Sequence, residues 1–383
     1  MKWVILVTKF LFKSFIYSNF AKFLRITVVK PSKLTTKQVV LQAATLFHNI
    51  RWKYGIVVCP YCGSIHIKEH EGYTYKCNSC KARFSDKTNT LLHGSKLSVQ
   101  TWILGIYEMF VDNFISSVTL AEKLGINQKS AWLMQAKIRY ALAQDGIQLN
   151  GDTTAQDEMY IGGCLTNYHY GRKIRLLKER EYMGEDDKRF SKSAIFALNS
   201  DLKKPVFGMT DGDKVVLYNT PNPIKKEYIQ YLFKKHSLSS IVVSDESKLY
   251  KGWNEATGTT LYTNNHHNNQ YKTEEGLTSN AIENKFSWFK RGFTGRITHC
   301  KYLQLYLNEY TFRYNTRHLS TMERFEAAIT KMIGLEITYA TIKAYNPFET
   351  FEKLTVRKKK HYITDVEIKR MNDMIGTIGV VHR

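Results

Sequence analysis

Proline is scarce, six in 383 residues, and glycine stops at 22, so neither a collagenous nor a linker-like chain is possible. Six cysteines are too few to staple a chain of this length, which excludes a disulfide scaffold. No uninterrupted apolar run approaches the ~18 residues of a spanning helix, so no membrane segment is expected. Acidic residues are also short: 34 Asp and Glu against 56 Lys and Arg leave a formal charge of +22. That excess points to a polyanionic partner. The remainder is ordinary, with 43% apolar and 23% charged residues, and argues for a folded protein of two or three domains.

Composition divides the chain into zones. Residues 1–35 form a basic apolar leader. Lys9, Lys13, Lys22 and Arg25 interrupt it every few residues and no small-residue cleavage site follows, so it reads as a basic amphipathic helix or an upstream start, with a signal or membrane-surface helix as the alternative. Residues 36–95 hold a short helix and a turn-rich segment with cysteines. Residues 96–150 are helical in period. Residues 151–320 alternate β-branched runs with amphipathic helices, the pattern of an α/β domain. Residues 321–383 make a helical and basic tail, with an amphipathic helix from Thr321 and the charge run Arg357 to Lys360.

Cys59-Pro60-Tyr61-Cys62 and Cys77-Asn78-Ser79-Cys80 form two C-x-x-C pairs. Each pair puts two thiolates on one tight turn, and two such turns close a tetrahedron that selects zinc. Four thiolates leave no open coordination position, so the role is folding rather than catalysis. Redox dithiols or a disulfide pair are the rival readings, and no thioredoxin-like βαβ pattern surrounds the motif. Cys164 and Cys300 lack partners and read as free thiols.

The helical zone predicts one helix over 98–111, a second over 117–124, a left-handed turn at Gly125, and a third over 128–144 capped by Asn127. Ala131, Met134 and Ile138 would form the buried stripe of the third. This is the spacing of a helix-turn-helix, and Lys129, Gln135, Lys137 and Arg139 would lie along or beside the exposed face. A plain helical bundle is the bland alternative.

Acids appear at three places in the α/β zone. Asp157 interrupts the strand pattern Thr154 to Ile161; Asp245 ends the apolar run Ile241 to Ser244; Glu283 lies on a helix whose stripe is Ile282, Phe286 and Phe289. Lys290, two helical turns on, shares a face with Glu283. Carboxylates gathered from two strands and a helix repel unless a cation lies between them. Hard oxygen donors suit magnesium or manganese, and two such ions serve phosphodiester chemistry. Glu158 and Glu246, next to the aspartates, would point to the opposite sheet face.

The ordered set resembles the ISXO-like insertion-sequence transposases, relatives of Merlin elements. The matching residues are Cys59-Pro60-Tyr61-Cys62, Tyr75 to Cys80 running into Phe84-Ser85, Thr90 to Lys96 before Trp102, Asp157 to Gly163, Ser244-Asp245-Glu246, Asn280 to Glu283 with Trp288, Lys290 and Arg291, and Phe312 to Arg317. The resemblance spans residues 40–320. It implies an α/β fold with an RNase H-like core, a mixed sheet flanked by helices, preceded by a zinc ribbon and a helix-turn-helix. It implies a DDE enzyme in which Asp157, Asp245 and Glu283 hold two Mg²⁺ or Mn²⁺ ions; Asn280 stays open as the third ligand, and His266 or His267 matches a histidine often found there. The expected function is a DNA transposase that binds terminal inverted repeats and performs strand cleavage and transfer. Phosphate contacts are expected from Lys285, Lys290, Arg291, Arg296, Lys301, Arg313 and Arg317, with Lys129, Lys137 and Arg139 on the reading helix. Pairing two element ends implies a homodimer or larger synaptic assembly. The site of action would be the cytoplasm, at the nucleoid, in a prokaryote, or the nucleus in a eukaryote. A non-catalytic DNA-binding regulator and a structure-selective nuclease are the rival functions; neither needs both the acids and the two-part reading module. The leader, the tail and the charged stretch Tyr170 to Phe190 have no counterpart in the resemblance.

Overall fold

The computed structural model describes residues 36–53, 55–112, 114–162, 169–179, 203–264, 278–293 and 301–352. The leader, most of the basic tail, Cys164, His266, His267, Arg296 and Cys300 lie outside them.

Helix α1 (Thr36–Arg51) leads into a small antiparallel sheet, β1 (Ile67–His70), β2 (Thr74–Cys77) and β3 (Arg83–Ser85). Its core is Cys59, Tyr75, Cys77 and Phe84, with Trp52, Val57, Ile67 and Tyr73 partly buried against it, too little to hold the sheet alone. Asp86 ties it to α1. Its carboxylate accepts from Trp52 Nε1 at 2.7 Å and pairs with His48 Nδ1 at 2.9 Å, and its carbonyl accepts from Arg51.

Three helices follow: α2 (Val99–Val111), α3 (Ser117–Leu124) and α4 (Gln128–Ala141). Ser98, Ser116 and Asn127 cap them, each side chain accepting from a backbone N–H three residues on. Gly125 ends α3 at φ 62°, the left-handed turn that the sequence predicts. The third helix stops at Ala141 rather than continuing to Gln144, and Leu142 caps its end.

The α/β region runs β4 (Thr153–Ile161), α5 (Tyr170–Glu179), β5 (Lys204–Thr210), β6 (Val215–Asn219), α6 (Lys226–His236), β7 (Ile241–Asp245), α7 (Trp253–Thr257), β8 (Thr260–Asn264), α8 (Asn280–Phe293) and α9 (Leu303–Asn315). Among the described residues the sheet is five-stranded and mixed, ordered β6-β5-β4-β7-β8. The strands β4, β5 and β6 pair antiparallel; β7 joins β4, and β8 joins β7, in parallel. Side chains alternate between faces, so Phe207, Met209, Val216, Tyr218 and Val242 pack on Ile229, Leu232 and Phe233 of α6 and on Trp253. The other face, with Ala155, Met159, Val206, Val215 and Leu217, receives α8 and α9.

β6 is an edge strand, and amide side chains stand in for the neighbour it lacks. Val215 exchanges two hydrogen bonds with Asn315, at 2.8 and 2.9 Å. Gln144 does the same with Leu217, and Gln304 accepts from the Asn219 N–H at 2.8 Å. These residues come from α9 and from the segment after α4. Of these, Gln144 ties the helical region to the sheet.

Finally α10 (Thr321–Thr330), closed by a Ser320–Glu323 capping box, and α11 (Tyr339–Lys343) fold back toward the N-terminal half. Met322, Phe325 and Ile329 share a core with Phe47 of α1, Trp102 and Ile106 of α2, and Met134 and Ile138 of α4. Residues that composition assigns to three zones therefore pack as one helical unit.

Candidate active site

Asp157 occupies the middle of β4, opposite Gly208 of β5. Ala155 pairs with Val243 of β7, so two residues further along both parallel strands Asp157 and Asp245 leave the same face. That face is covered by α8, held there by Ile282, Phe286, Phe289 and Phe293. Gly208 makes the close approach possible: a Cβ there would lie 2.5 Å from Phe286 Cε1 and 2.8 Å from Cζ. With α8 seated, Glu283 in its first turn is carried toward the two aspartates.

Ser279 completes the convergence. It is fully buried, and its hydroxyl lies 3.2 Å from both Asp245 Oδ1 and Glu283 Oε1. The two carboxylate oxygens are thus within twice that distance of each other, on either side of one donor. Asn280, the alternative third ligand, is exposed.

The electrostatics fit a crowded acidic pocket. Burial pushes the Asp157 carboxyl up to about 7; the Glu158 N–H, donating to its Oδ1 at 2.6 Å, opposes this, and the charges of Glu158, Asp245 and Glu283 add to it. Burial also raises Glu158, against the hydrogen bond it accepts from Tyr250 and with the help of Asp245. Glu158 is thus held by Tyr250 and is not a free surface charge. These are the donors that a hard divalent ion needs, brought together at an electrostatic cost that such an ion would remove. The three carboxylates are more widely spaced than the thiols. Among the described residues, the four cysteines are the set whose ligand atoms all lie within 4.8 Å of one another.

At that second site, Cys59 and Cys80 sulfurs are 3.6 Å apart, as are those of Cys62 and Cys77. A zinc tetrahedron with ~2.3 Å bonds has edges of about 3.8 Å, so the thiols stand nearly in place. Gly63 at φ 72° and Lys81 at φ 62° turn the chain just after each pair. The Cys80 N–H donates to Cys77 Sγ at 3.5 Å and holds that thiol down, at about 6. For Cys80 the Ala82 N–H works in the same direction, but desolvation and the three neighbouring thiols raise it to about 12.

The basic residues separate into two groups. Lys129, Lys290 and Arg291 are exposed; Lys285 is half-buried and stands 4.7 Å over the Tyr314 ring. Lys137 is half-buried, and burial lowers its pKa. Arg139 corrects the sequence expectation. It is 2% exposed, and its Nε donates to Glu309 Oε2 at 2.7 Å, so it is not on an outward face. Gln135 is buried too, donating to the Ile115 carbonyl at 2.8 Å. Arg313 is also engaged inside, by Glu309 Oε1 at 3.1 Å and by the Phe110 and Asp112 carbonyls. Arg317 is pinned to Asp213 at 2.8 Å.

Comparison with known proteins gives two family matches. Residues 148–315 match the ISXO2-like transposase domain, and residues 41–83 match the transposase zinc-ribbon domain. This stretch of the chain is similar to ISXO2-like transposase domains. The first match begins just before β4 and ends with α9, so it holds Asp157, Asp245, Glu283 and Ser279 together. The zinc-ribbon match contains all four cysteines. A relative in Halobacterium salinarum, described as an uncharacterized protein in transposable element ISH50, is 27% identical over 124 residues, 31% of this chain. The chain spans 41% of that relative's length. No solved structure matches. Among the described residues no helix is long and apolar enough to cross a membrane.

Sequence reasoning assigns no role to Ser279, Gly208 or Tyr250. Ser279 stands beside the third acidic block and is the one that sequence position could have flagged.

Proposed function

We propose that the protein is a DNA transposase whose α/β region is an RNase H-like DDE core. The mixed sheet with helices on both faces supports the fold. The single observation that carries the function is that Asp157 and Asp245 leave the sheet face that α8 covers, where the Ser279 hydroxyl lies 3.2 Å from carboxylate oxygens of both Asp245 and Glu283.

Asp157, Asp245 and Glu283 would hold the divalent ions. When bound, these ions supply the Lewis-acid chemistry that activates an attacking oxygen and stabilises a leaving one. The protein's own contribution is placement. The Glu158 N–H fixes one oxygen of Asp157, Ser279 orients Asp245 toward Glu283, and the α8 stripe fixes the third carboxylate against the sheet. Lys285, Lys290 and Arg291, along the same helix, would contact the phosphate backbone of the DNA being cut. The four-cysteine ribbon, holding a structural zinc, and the α3–α4 pair acting as a helix-turn-helix would recognise the terminal inverted repeats. Lys129 at the exposed start of α4 is placed to contribute. Joining both ends of an element requires at least two copies in one assembly.

The test uses the full chain with DNA fragments carrying the element's flanking inverted repeats and Mg²⁺ or Mn²⁺, with 3′ ends mapped. Cleavage at the repeat boundary, abolished in Asp157→Ala, Asp245→Ala and Glu283→Ala, is the expected result. Unchanged cleavage in these variants would remove the assigned site. Repeat binding without cleavage in the native chain would favour a regulator, and cutting without regard to the repeat would favour a nuclease.

A further inference from the structure

Asp245 has a neighbour that the acidic set does not include. The parallel register of β7 and β8 pairs Asp245 with Asn264, and paired positions on adjacent strands send their side chains to the same face. Asp157, Asp245 and Asn264 thus form a row across β4, β7 and β8. Asn264 is only 1% exposed. Neither its Oδ1 nor its Nδ2 has a hydrogen-bond partner among the described residues.

A buried carboxamide with both ends unsatisfied is unfavourable, and a strand offers apolar or β-branched alternatives at no such cost. The amide does not spend its N–H groups on the carboxylate beside it. Both ends remain available to a polar group entering the row.

We infer that Asn264 is a positioning residue of this site, its amide oxygen accepting hydrogen bonds from the hydration shell of a divalent cation held at Asp245. The inference rests on the cation-binding reading of the three carboxylates. It gives Asn264 a role that outer partners of metal ligands often have, orienting what the ligands hold.

The experiment measures Mn²⁺ binding to the zinc-loaded full chain without DNA, from the paramagnetic resonance of free Mn²⁺, and thermal unfolding in EDTA. Asn264→Leu removes the amide at similar volume; its Mn²⁺ affinity should fall roughly 10–100-fold, with the unfolding temperature in EDTA unchanged or raised. Asn264→Asp, which restores an oxygen, should recover the affinity. The inference is overturned if Asn264→Leu binds Mn²⁺ like the native chain, or if Asn264→Asp fails to recover binding. Asp245→Asn separates the two readings. If it abolishes Mn²⁺ binding while Asn264→Leu does not weaken it, this inference alone fails; if it leaves binding intact, the carboxylate site itself is wrongly assigned.

Discussion

Arg139 on α4 and Glu309 on α9 form a buried ion pair at 2.7 Å, and Arg313 closes on the other oxygen of the same carboxylate at 3.1 Å. Glu309 is fully buried, and two guanidiniums satisfy its charge. Removing Arg139 leaves Glu309 to Arg313 alone, with its other oxygen buried and without its partner, which typically costs about 1–3 kcal/mol. Arg139→Ala should therefore lose stability on that scale in urea unfolding. An equally stable variant would mean that water replaces the guanidinium.

Lys129 should behave in the opposite way. It is exposed at the start of α4, so Lys129→Ala leaves unfolding unchanged. If it contacts a phosphate, binding to repeat DNA weakens and the slope of log affinity against log salt falls by ~1. An unaltered slope would remove Lys129 from the interface.

The Asp157 carboxyl gives a pH dependence whose sign follows from its raised pKa. The folded state binds this proton more tightly than the unfolded chain, where the ordinary value is 3.8. Stability in EDTA should therefore fall as the pH rises from about 4 to about 7, and stay low above that. Asp157→Asn should flatten this part of the profile and gain about 1–3 kcal/mol at pH 8. Added Mn²⁺ should stabilise the native chain at that pH and not the variant. A profile identical in both proteins would show that Asp157 does not carry the effect.

Gly208→Ala tests how α8 is seated. The added methyl meets the Phe286 ring, and overpacking of this kind costs about 1–3 kcal/mol. Because α8 carries Glu283, cleavage should fall with it. Phe286→Leu in the same chain should return part of both; failure to do so would place the strain elsewhere.

Zinc removal should act locally. Metal analysis should find one zinc bound by the four thiols, and Cys62→Ser should lose it. The ribbon should then unfold while the sheet keeps its structure, because the ribbon core shares no residue with the cores around the sheet. Global unfolding of Cys62→Ser would contradict this separation.

Much of this was legible in local sequence. The cap at Asn127, the turn at Gly125, the α8 stripe and both cysteine pairs depend on residues close in the chain, and the structure has them all. What failed was the face of α4. Arg139 reads as solvent-facing because Glu309, the partner that buries it, lies 170 positions away, while Lys129 is exposed as expected. Separation along the chain likewise hides Gly208 opposite Asp157, and the Gln and Asn side chains that close the β6 edge. Composition likewise separated α10 from α1, which only a folded chain brings together.

That closed edge limits how the molecule can move. Gln144 fastens the helical half to β6 through backbone hydrogen bonds, and the Arg139–Glu309 pair clamps α4 to α9, which Gln304 and Asn315 tie to the same strand. On the proposed reading, the part that grips a repeat cannot swivel against the part that cuts it. The protein would then act as a ruler, with the span of DNA between recognition and incision set by that frame.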